Sequence, residues 1–160
     1  MDFNLTSEQE MLRKAVREFS EEEIAPKIEE LDLKEEFSYD LTKKMAGLGL
    51  FGITVDPKYG GQGMDYLSYI VAVEELSRID GSQAATVAAA NSLGIGPIYS
   101  FGSEKQKQKY LPDLCSGKSL WGFGLTEPDA GSDAGGTKTT ANLKNGKWII
   151  NGAKIFITNA

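Results

Sequence analysis

The spacing of apolar residues changes once along this chain, near residue 119, and this change limits the folds that the sequence can adopt. Before it, apolar residues recur at helical intervals; after it, short apolar runs are separated by Asn-Gly pairs at 145–146 and 151–152. Asn-Gly is typical of two-residue turns between antiparallel strands. The sequence therefore predicts an α+β protein, with an all-α helical domain over residues 1–118 and the first strands of an antiparallel β domain over residues 119–160.

Each predicted helix begins after a residue that commonly caps helix N-termini. These capping residues are Thr6, Ser38, Asp65, Asp80 and Ser103. Gln9 or Glu10 completes a capping box with the first of them, and Pro26 is expected to kink or end that helix. The helix after Asp80 contains Ala84–Ala90, so it either packs close to a neighbour or lines a cavity.

Five further segments are predicted to be extended. They are residues 50–55, 120–125, 137–143, 147–150 and 153–158. Those after residue 119 are too few to close a barrel, and the last of them reaches the end of the chain. We therefore expect the chain to be a truncated part of a larger fold.

Composition excludes several classes of function. The chain has 160 residues, 41% of them hydrophobic and 25% charged, and a net charge of −6. An acidic chain lacks the basic face that nucleic acids require. No apolar run is long enough to span a bilayer, and the acidic start does not resemble a signal peptide, so we expect a cytoplasmic protein.

Histidine is absent, and Cys115 is the single cysteine. This excludes an internal disulfide, a Cys–His dyad, a Ser–His–Asp triad and a Cys/His zinc site, and we expect no metal. Proton transfer must then rely on Asp, Glu, Lys, Tyr, water or a cofactor. Cys115 is expected to pack as a small apolar residue.

The loop over residues 121–133 is rich in small and polar residues and follows a short apolar run. Such a loop offers backbone N–H groups and hydroxyls to a ligand at close range. Purely structural interpretations are open as well: Thr126 and Ser132 could cap turns, Asp129 and Asp133 could form Asx-turns, and Phe156 could lie in a core.

Several motifs of the chain closely resemble those of the acyl-CoA dehydrogenases. They are residues 125–133, 101–112 and 151–159, together with 3–26, 59–63 and 91–94. They occur in order and cover essentially the whole chain, and they resemble most the short-chain, butyryl-CoA-like bacterial branch.

This resemblance implies a helical domain, a β domain and a second helical domain, with FAD between the last two. The implied reaction is α,β-dehydrogenation of an acyl-CoA, in which a carboxylate removes the α-proton and the β-hydrogen leaves as hydride to flavin N5. The family's base is a Glu in the last domain, beyond residue 160, so no catalytic residue is expected in this chain. The implied partners are the acyl-CoA, an electron-transferring flavoprotein and further copies of the protein in a homotetramer.

The resemblance also assigns binding roles to individual residues. The cofactor-binding residues would be Phe123, Gly124, Leu125, Thr126, Gly131, Ser132, Phe156, Ile157 and Thr158. Ser132 would reach the FAD pyrophosphate or the CoA thioester. The acyl pocket would be lined by Thr86, Ala89, Ala90 and Leu93, and its small side chains would leave room for an acyl group that is more than minimal, or branched or cyclic.

Two other hypotheses remain open at this point. The chain could be a non-catalytic helical interaction module that pairs with a partner through its open sheet. It could also belong to an acyl-CoA oxidase of the same superfamily, which passes electrons to oxygen.

Overall fold

The computed structural model describes residues 4–160 as seven α-helices and one two-stranded sheet. The helices are α1 Ser7–Phe19, α2 Ile28–Lys34, α3 Tyr39–Gly47, α4 Tyr66–Ser77, α5 Gly81–Ala89, α6 Gly96–Phe101 and α7 Glu104–Cys115. The strands are β1 Thr140–Lys144 and β2 Lys147–Asn151. Helical residues followed by an antiparallel pair confirm the predicted fold class.

The predicted helix starts are confirmed by their caps. Thr6 and Gln9 form the capping box of α1, and Ser103 forms another with Gln106 at α7. Ser38, Asp65 and Asp80 accept backbone N–H groups at the starts of α3, α4 and α5. A side-chain acceptor at this position satisfies donors that the first helical turn leaves unpaired.

Helix α1 packs against α4 around a buried carboxylate. The side chain of Glu75 on α4 is 2% exposed and receives two hydrogen bonds from Arg17 of α1, at 2.9 and 2.8 Å. Arg78 adds a third at 3.0 Å. The hydrogen bond from Arg17 and the nearby guanidinium charges lower the pKa of Glu75.

The segment before Pro26 ends as expected, but the helix after it was not predicted. A π-helical turn, Ser20–Ile24, continues α1, and Pro26 lies in the turn before α2. Ala25 still has helical backbone angles, but Pro26 has no N–H to donate to the preceding turn, which explains the break. Glu35, with φ of +53°, ends α2 in place of the glycine that would have marked this end.

Residues 50–55 are not extended, and that prediction was wrong. They form a buried turn in which Gly52 has a φ of +74°. Asn91 holds this turn: its Oδ1 accepts the N–H groups of Gly52 and Ile53, and its Nδ2 donates to the carbonyl of Leu50. A distant side chain therefore supplies the hydrogen bonds that a neighbouring strand would otherwise have supplied.

Asn91 lies in a π-helical turn, Ala90–Ile95, that joins α5 to α6. One extra residue in such a turn rotates the faces of the helix on either side of it. The buried residues of α5 and this turn join the main core together with α3, α4 and α7.

The first Asn-Gly turn is confirmed. Asn145 and Gly146 have φ values of +50° and +74°, as a type I′ turn requires, and Thr140 pairs with Asn151 at the far end of the hairpin. Opposite residues share a face, so Leu143, Trp148 and Ile150 lie on one side, and all three are exposed among the described residues.

Residues 120–125 and 153–158 are not strands, and the second Asn-Gly pair is not a hairpin turn, so those predictions were wrong. A strand requires a ladder of hydrogen bonds to a neighbour. The described residues form no backbone bond between these two segments, and only the N–H of Ile155 reaches the carbonyl of Thr126, one residue beyond the first segment. No helix among residues 4–160 is long and apolar enough to cross a membrane.

Candidate functional site

Two segments that are distant in the sequence, residues 121–126 and 154–158, lie side by side. The Ile155 N–H donates to the Thr126 carbonyl at 3.0 Å. A Cβ on Gly122 would lie 2.8 Å from Cγ2 of Ile157 and 2.9 Å from the carbonyl oxygen of Thr158. Only a glycine at position 122 allows the two segments to approach so closely. The structure therefore brings together the parts of both segments that the family resemblance assigns to cofactor binding.

Helix α5 and the turn after it lie next to the same two segments. Asn159 Nδ2 donates to the Thr86 carbonyl at 3.2 Å, and a Cβ on Gly94 would lie 2.9 Å from the Trp121 carbonyl oxygen. Thr86, Ala89 and Ala90 are buried in this chain, whereas Leu93 is exposed. The predicted acyl-pocket residues therefore lie beside the predicted cofactor segments, and Leu93 is the one that reaches the surface.

Three hydroxyl groups of the site have no hydrogen-bond partner among residues 4–160. They belong to Thr126, Ser132 and Thr158, and the backbone N–H of Thr126 is also free in this part of the chain. None of the three caps a turn, so the structural interpretation of Thr126 and Ser132 has no support. Free donors and acceptors on one surface can bind the polar edge of a ligand.

Large apolar side chains in the same two segments are exposed. Phe123 and Leu125 are exposed, and Phe156 is 90% exposed at a φ of +56°. A bulky residue rarely adopts a positive φ, and such strain is concentrated at binding sites. Phe156 therefore does not belong to a core, and its ring presents a flat apolar surface.

A buried ion pair fixes the loop between the two segments. Glu127 is 5% exposed and accepts hydrogen bonds from the N–H groups of Lys138 and Thr139 at 2.6 and 3.0 Å. Lys154 Nζ lies 2.8 Å from Oε1 of Glu127 and also donates to the Leu125 carbonyl. The Lys154 ammonium and these N–H groups lower the pKa of Glu127 to about 2. A carboxylate so stabilised in its charged form is a poor proton acceptor, so Glu127 positions the loop and does not act as a base.

Residues 127–130 form a tight turn, and the residues after it are exposed. Glu127 and Ala130 exchange backbone hydrogen bonds at 2.9 and 3.2 Å, and Lys138 pairs with Asp129. Gly131 and Ser132 follow this turn and are exposed, and a Cβ on Gly131 would meet no atom within 4 Å. The side chain of Asp133 caps no turn, and no hydrogen bond between described residues joins Ser132 to Thr126 or Thr158.

Neither the single thiol nor a metal-binding cluster of the described residues offers a further reactive centre. Burial raises the pKa of the Cys115 thiol to about 11, which keeps it protonated and unreactive. No group of three or more acidic or Cys residues within 4–160 is arranged to hold a metal ion.

This arrangement fits one part of a flavin site. An isoalloxazine ring has flat apolar faces and a polar edge of acceptors and donors. The structure offers the exposed rings of Phe123 and Phe156 together with the free hydroxyls of Thr126 and Thr158. The individual cofactor and acyl-pocket assignments remain predictions.

Sequence reasoning missed the residues that hold the site together. Glu127 and Lys154 both lie within the quoted motifs, but their pairing across 27 positions could not be read from their spacing. Asn91 and Asn159 were missed for the same reason, because each bonds to backbone groups that the fold alone brings close.

Comparison with known families matches nearly the whole chain. The family model described as "Acyl-CoA dehydrogenase, N-terminal domain" matches residues 6–118, and the one described as "Acyl-CoA dehydrogenase, middle domain" matches residues 122–160. An acyl-CoA dehydrogenase of Bacillus subtilis (strain 168) is 51% identical over 156 residues. Those residues are 98% of this chain and 41% of the relative, so the chain spans about two fifths of the relative's length.

Solved structures show the same likeness in three dimensions. Butyryl-CoA dehydrogenase from Megasphaera elsdenii matches with a TM-score of 0.93 and 45% identity, over 98% of this chain and 42% of that one. An acyl-CoA dehydrogenase of Bacillus anthracis complexed with FAD matches with a TM-score of 0.92 and 42% identity, over 98% of this chain and 28% of that one.

Proposed function

Because the chain belongs to the acyl-CoA dehydrogenase family, we propose that the whole protein is an FAD-dependent enzyme that dehydrogenates a short-chain acyl-CoA between its α and β carbons. The likeness to a butyryl-CoA dehydrogenase supports the short-chain substrate. The observation that carries the proposal is the juxtaposition of residues 121–126 with residues 154–158, each bearing a free threonine hydroxyl beside an exposed phenylalanine.

The chemistry requires an acidified α-carbon and a hydride acceptor. The α-proton of a thioester is a weak acid, so hydrogen bonds must stabilise the negative charge that develops on the carbonyl oxygen. Bound FAD supplies the hydride acceptor. Thr126 and Thr158 would hold that cofactor through their hydroxyls, Phe156 would shield it from water, and Ser132 would bind the pyrophosphate or the thioester region.

The general base lies outside this chain in the proposed mechanism. Glu127 is fully engaged by Lys154, Lys138 and Thr139, and its lowered pKa disfavours proton uptake. By the family resemblance, the base would be a Glu beyond residue 160. The role of Glu127 is to fix the distance between the Thr126 segment and the Lys154 segment.

Helix α5 sets the length of the acyl group in this proposal. Thr86, Ala89, Ala90 and Leu93 contribute its pocket wall, and small side chains leave room beyond the thioester. Replacing Ala89 by Leu shortens the longest acyl-CoA that the whole enzyme accepts, whereas Ala15→Leu on the exposed side of α1 leaves the chain-length profile unchanged. Equal profiles in both variants would refute the assignment.

Electrons then pass to an electron-transferring flavoprotein, and the whole protein assembles as a homotetramer. Both statements rest on the family resemblance. An oxygen-uptake assay separates this proposal from an acyl-CoA oxidase, because a dehydrogenase consumes acyl-CoA in the presence of a dye acceptor and takes up little oxygen.

The direct test is the visible spectrum of the purified whole protein. We expect flavin absorbance near one FAD per chain and bleaching when butyryl-CoA is added without oxygen. A colourless protein that binds neither FAD nor butyryl-CoA would favour the interaction module.

A further inference from the structure

Lys154 makes a contact with the main chain of the candidate site that the proposed function leaves unused. Its Nζ donates to the Leu125 carbonyl at 2.9 Å as well as to Oε1 of Glu127 at 2.8 Å. Lys138, by contrast, directs its ammonium group to a carboxylate, that of Asp129. A lysine ammonium is therefore hydrogen-bonded to the peptide group that joins Leu125 to the residue after it.

Packing and a second hydrogen bond fix the direction of this contact. The side chain of Lys154 is 28% exposed, and a Cβ on Gly124 would lie 3.4 Å from Lys154 Cγ, so the lysine stem lies against the main chain at Gly124. The Ile155 N–H binds the next carbonyl along, that of Thr126, at 3.0 Å. Two adjacent residues of the second segment thus orient two successive peptide groups of the first.

The opposite end of the Leu125–Thr126 peptide group is free. Its bond is trans, so its N–H, which belongs to Thr126, points away from the carbonyl and hence away from Lys154. No described residue accepts this N–H. Hydrogen bonds in series polarise one another, so the ammonium on the carbonyl makes the N–H at the other end a stronger donor.

The proposed reaction creates a charge that such a donor stabilises. Hydride transfer breaks a C–H bond of the acyl-CoA and brings two electrons and one proton to FAD, so the flavin gains one negative charge unless a further proton follows. A polarised donor at the polar edge of the flavin therefore binds the reduced form more tightly than the oxidised form. By linkage, a cofactor that is bound more tightly when reduced has a higher reduction potential.

We propose that Lys154 is a positioning residue that raises the reduction potential of bound FAD. It acts by polarising the Leu125–Thr126 peptide group, whose N–H donates to the polar edge of the flavin. The ammonium itself stays behind the main chain and does not contact the cofactor. This inference rests on the proposed function and adds a control of the cofactor's potential to it.

The test is the reduction potential of FAD in the whole protein, measured by titration against a redox dye. Lys154→Met keeps most of the stem and removes the ammonium. We expect the affinity for reduced FAD to fall about fivefold relative to that for oxidised FAD, because a hydrogen bond in series strengthens its neighbour by about 10–30%. For a two-electron couple this is a fall in potential of about 20 mV. Lys154→Arg keeps a charged donor and restores most of the potential.

Two further variants separate the polarised peptide group from the loss of a positive charge. Lys138→Met removes an ammonium that pairs with Asp129 on the same loop, and it leaves the potential unchanged. Glu127→Gln combined with Lys154→Met removes both charges of the buried ion pair, so the net charge is that of the original protein, yet the potential still falls. This double variant leaves no unpaired buried carboxylate, so it decides the question even if Lys154→Met alone fails to fold.

The same potential in the double variant and the original protein, or equal falls for Lys154→Met and Lys138→Met, would overturn the proposal. A role in holding the loop alone would weaken the binding of oxidised and reduced FAD equally and leave the potential unchanged, which is also a contrary result. Failure of the original protein to bind FAD would refute the proposed function itself. Bound FAD with one potential in all these variants would refute only the role of Lys154.

Discussion

Asn91 connects the 50–53 turn to the helix that carries the predicted acyl-pocket residues, and its removal has a calculable cost. Its side chain makes four hydrogen bonds of 2.8 to 3.1 Å. In Asn91→Ala the N–H groups of Gly52 and Ile53 and the carbonyl of Leu50 lose their partner inside the core. Each orphaned group costs about 1–3 kcal/mol, so we expect the free energy of unfolding to fall by about 3–5 kcal/mol after partial access of water.

Urea unfolding followed by far-UV circular dichroism measures this loss. The total stability of such a domain is about 5–15 kcal/mol, so the unfolding midpoint should move far towards low urea at an unchanged slope. Ser92→Ala is the control, since Ser92 is the exposed neighbour of Asn91 and should change stability by at most about 0.5 kcal/mol. A loss below about 1 kcal/mol in Asn91→Ala would refute the role given to this side chain.

Three further predictions concern the site and the turn beside it. The pKa of Glu127 is lowered to about 2 from an ordinary 4.5, so its stabilisation of the loop is complete above pH 4.5 and is lost as the pH falls through about 2. The amide NMR shifts of Lys138 and Thr139, which donate to Glu127, should follow this titration. A titration midpoint near pH 4.5 would contradict the lowered pKa. Gly52→Ala should lower the free energy of unfolding by about 2–4 kcal/mol, because φ of Gly52 is +74° and the new Cβ would lie 2.4 Å from Cys115 Sγ. The control Gly81→Ala places its Cβ in open space and should leave the melting temperature unchanged. Phe156→Gly should raise the free energy of unfolding by about 1 kcal/mol, because glycine adopts the positive φ of this position without strain. The same substitution should weaken FAD binding in the whole protein. Unchanged FAD affinity would show that Phe156 is not part of the site.

The sequence predicted those helix starts and turns that depend on interactions between residues only a few positions apart. Thr6, Ser103 and the Asn145-Gly146 turn act within a few residues, so their caps and hairpin could be predicted from spacing alone. The turn at 50–53 could not, because its hydrogen bonds come from Asn91, about forty positions away.

The candidate site also combines features that the sequence predicts with long-range contacts that it does not. The motif resemblance predicts cofactor binding by Thr126 and Thr158, and the fold brings their segments into contact. The Glu127–Lys154 pair that holds those segments was missed because an ion pair across 27 positions leaves no periodic pattern. The apolar content of residues 120–125 and 153–158 predicts strands, but the described residues provide no ladder of hydrogen bonds for them.

The central claim is that residues 121–126 and 154–158 form one side of a flavin site, and FAD titration of the whole protein tests it most directly. We expect Thr126→Val and Thr158→Val each to weaken FAD binding by about tenfold, the effect of one lost hydrogen bond to a polar ligand edge, at an unchanged melting temperature. Thr140→Val, on the exposed strand β1, should leave the dissociation constant unchanged. Equal FAD affinity in all three variants would contradict the account.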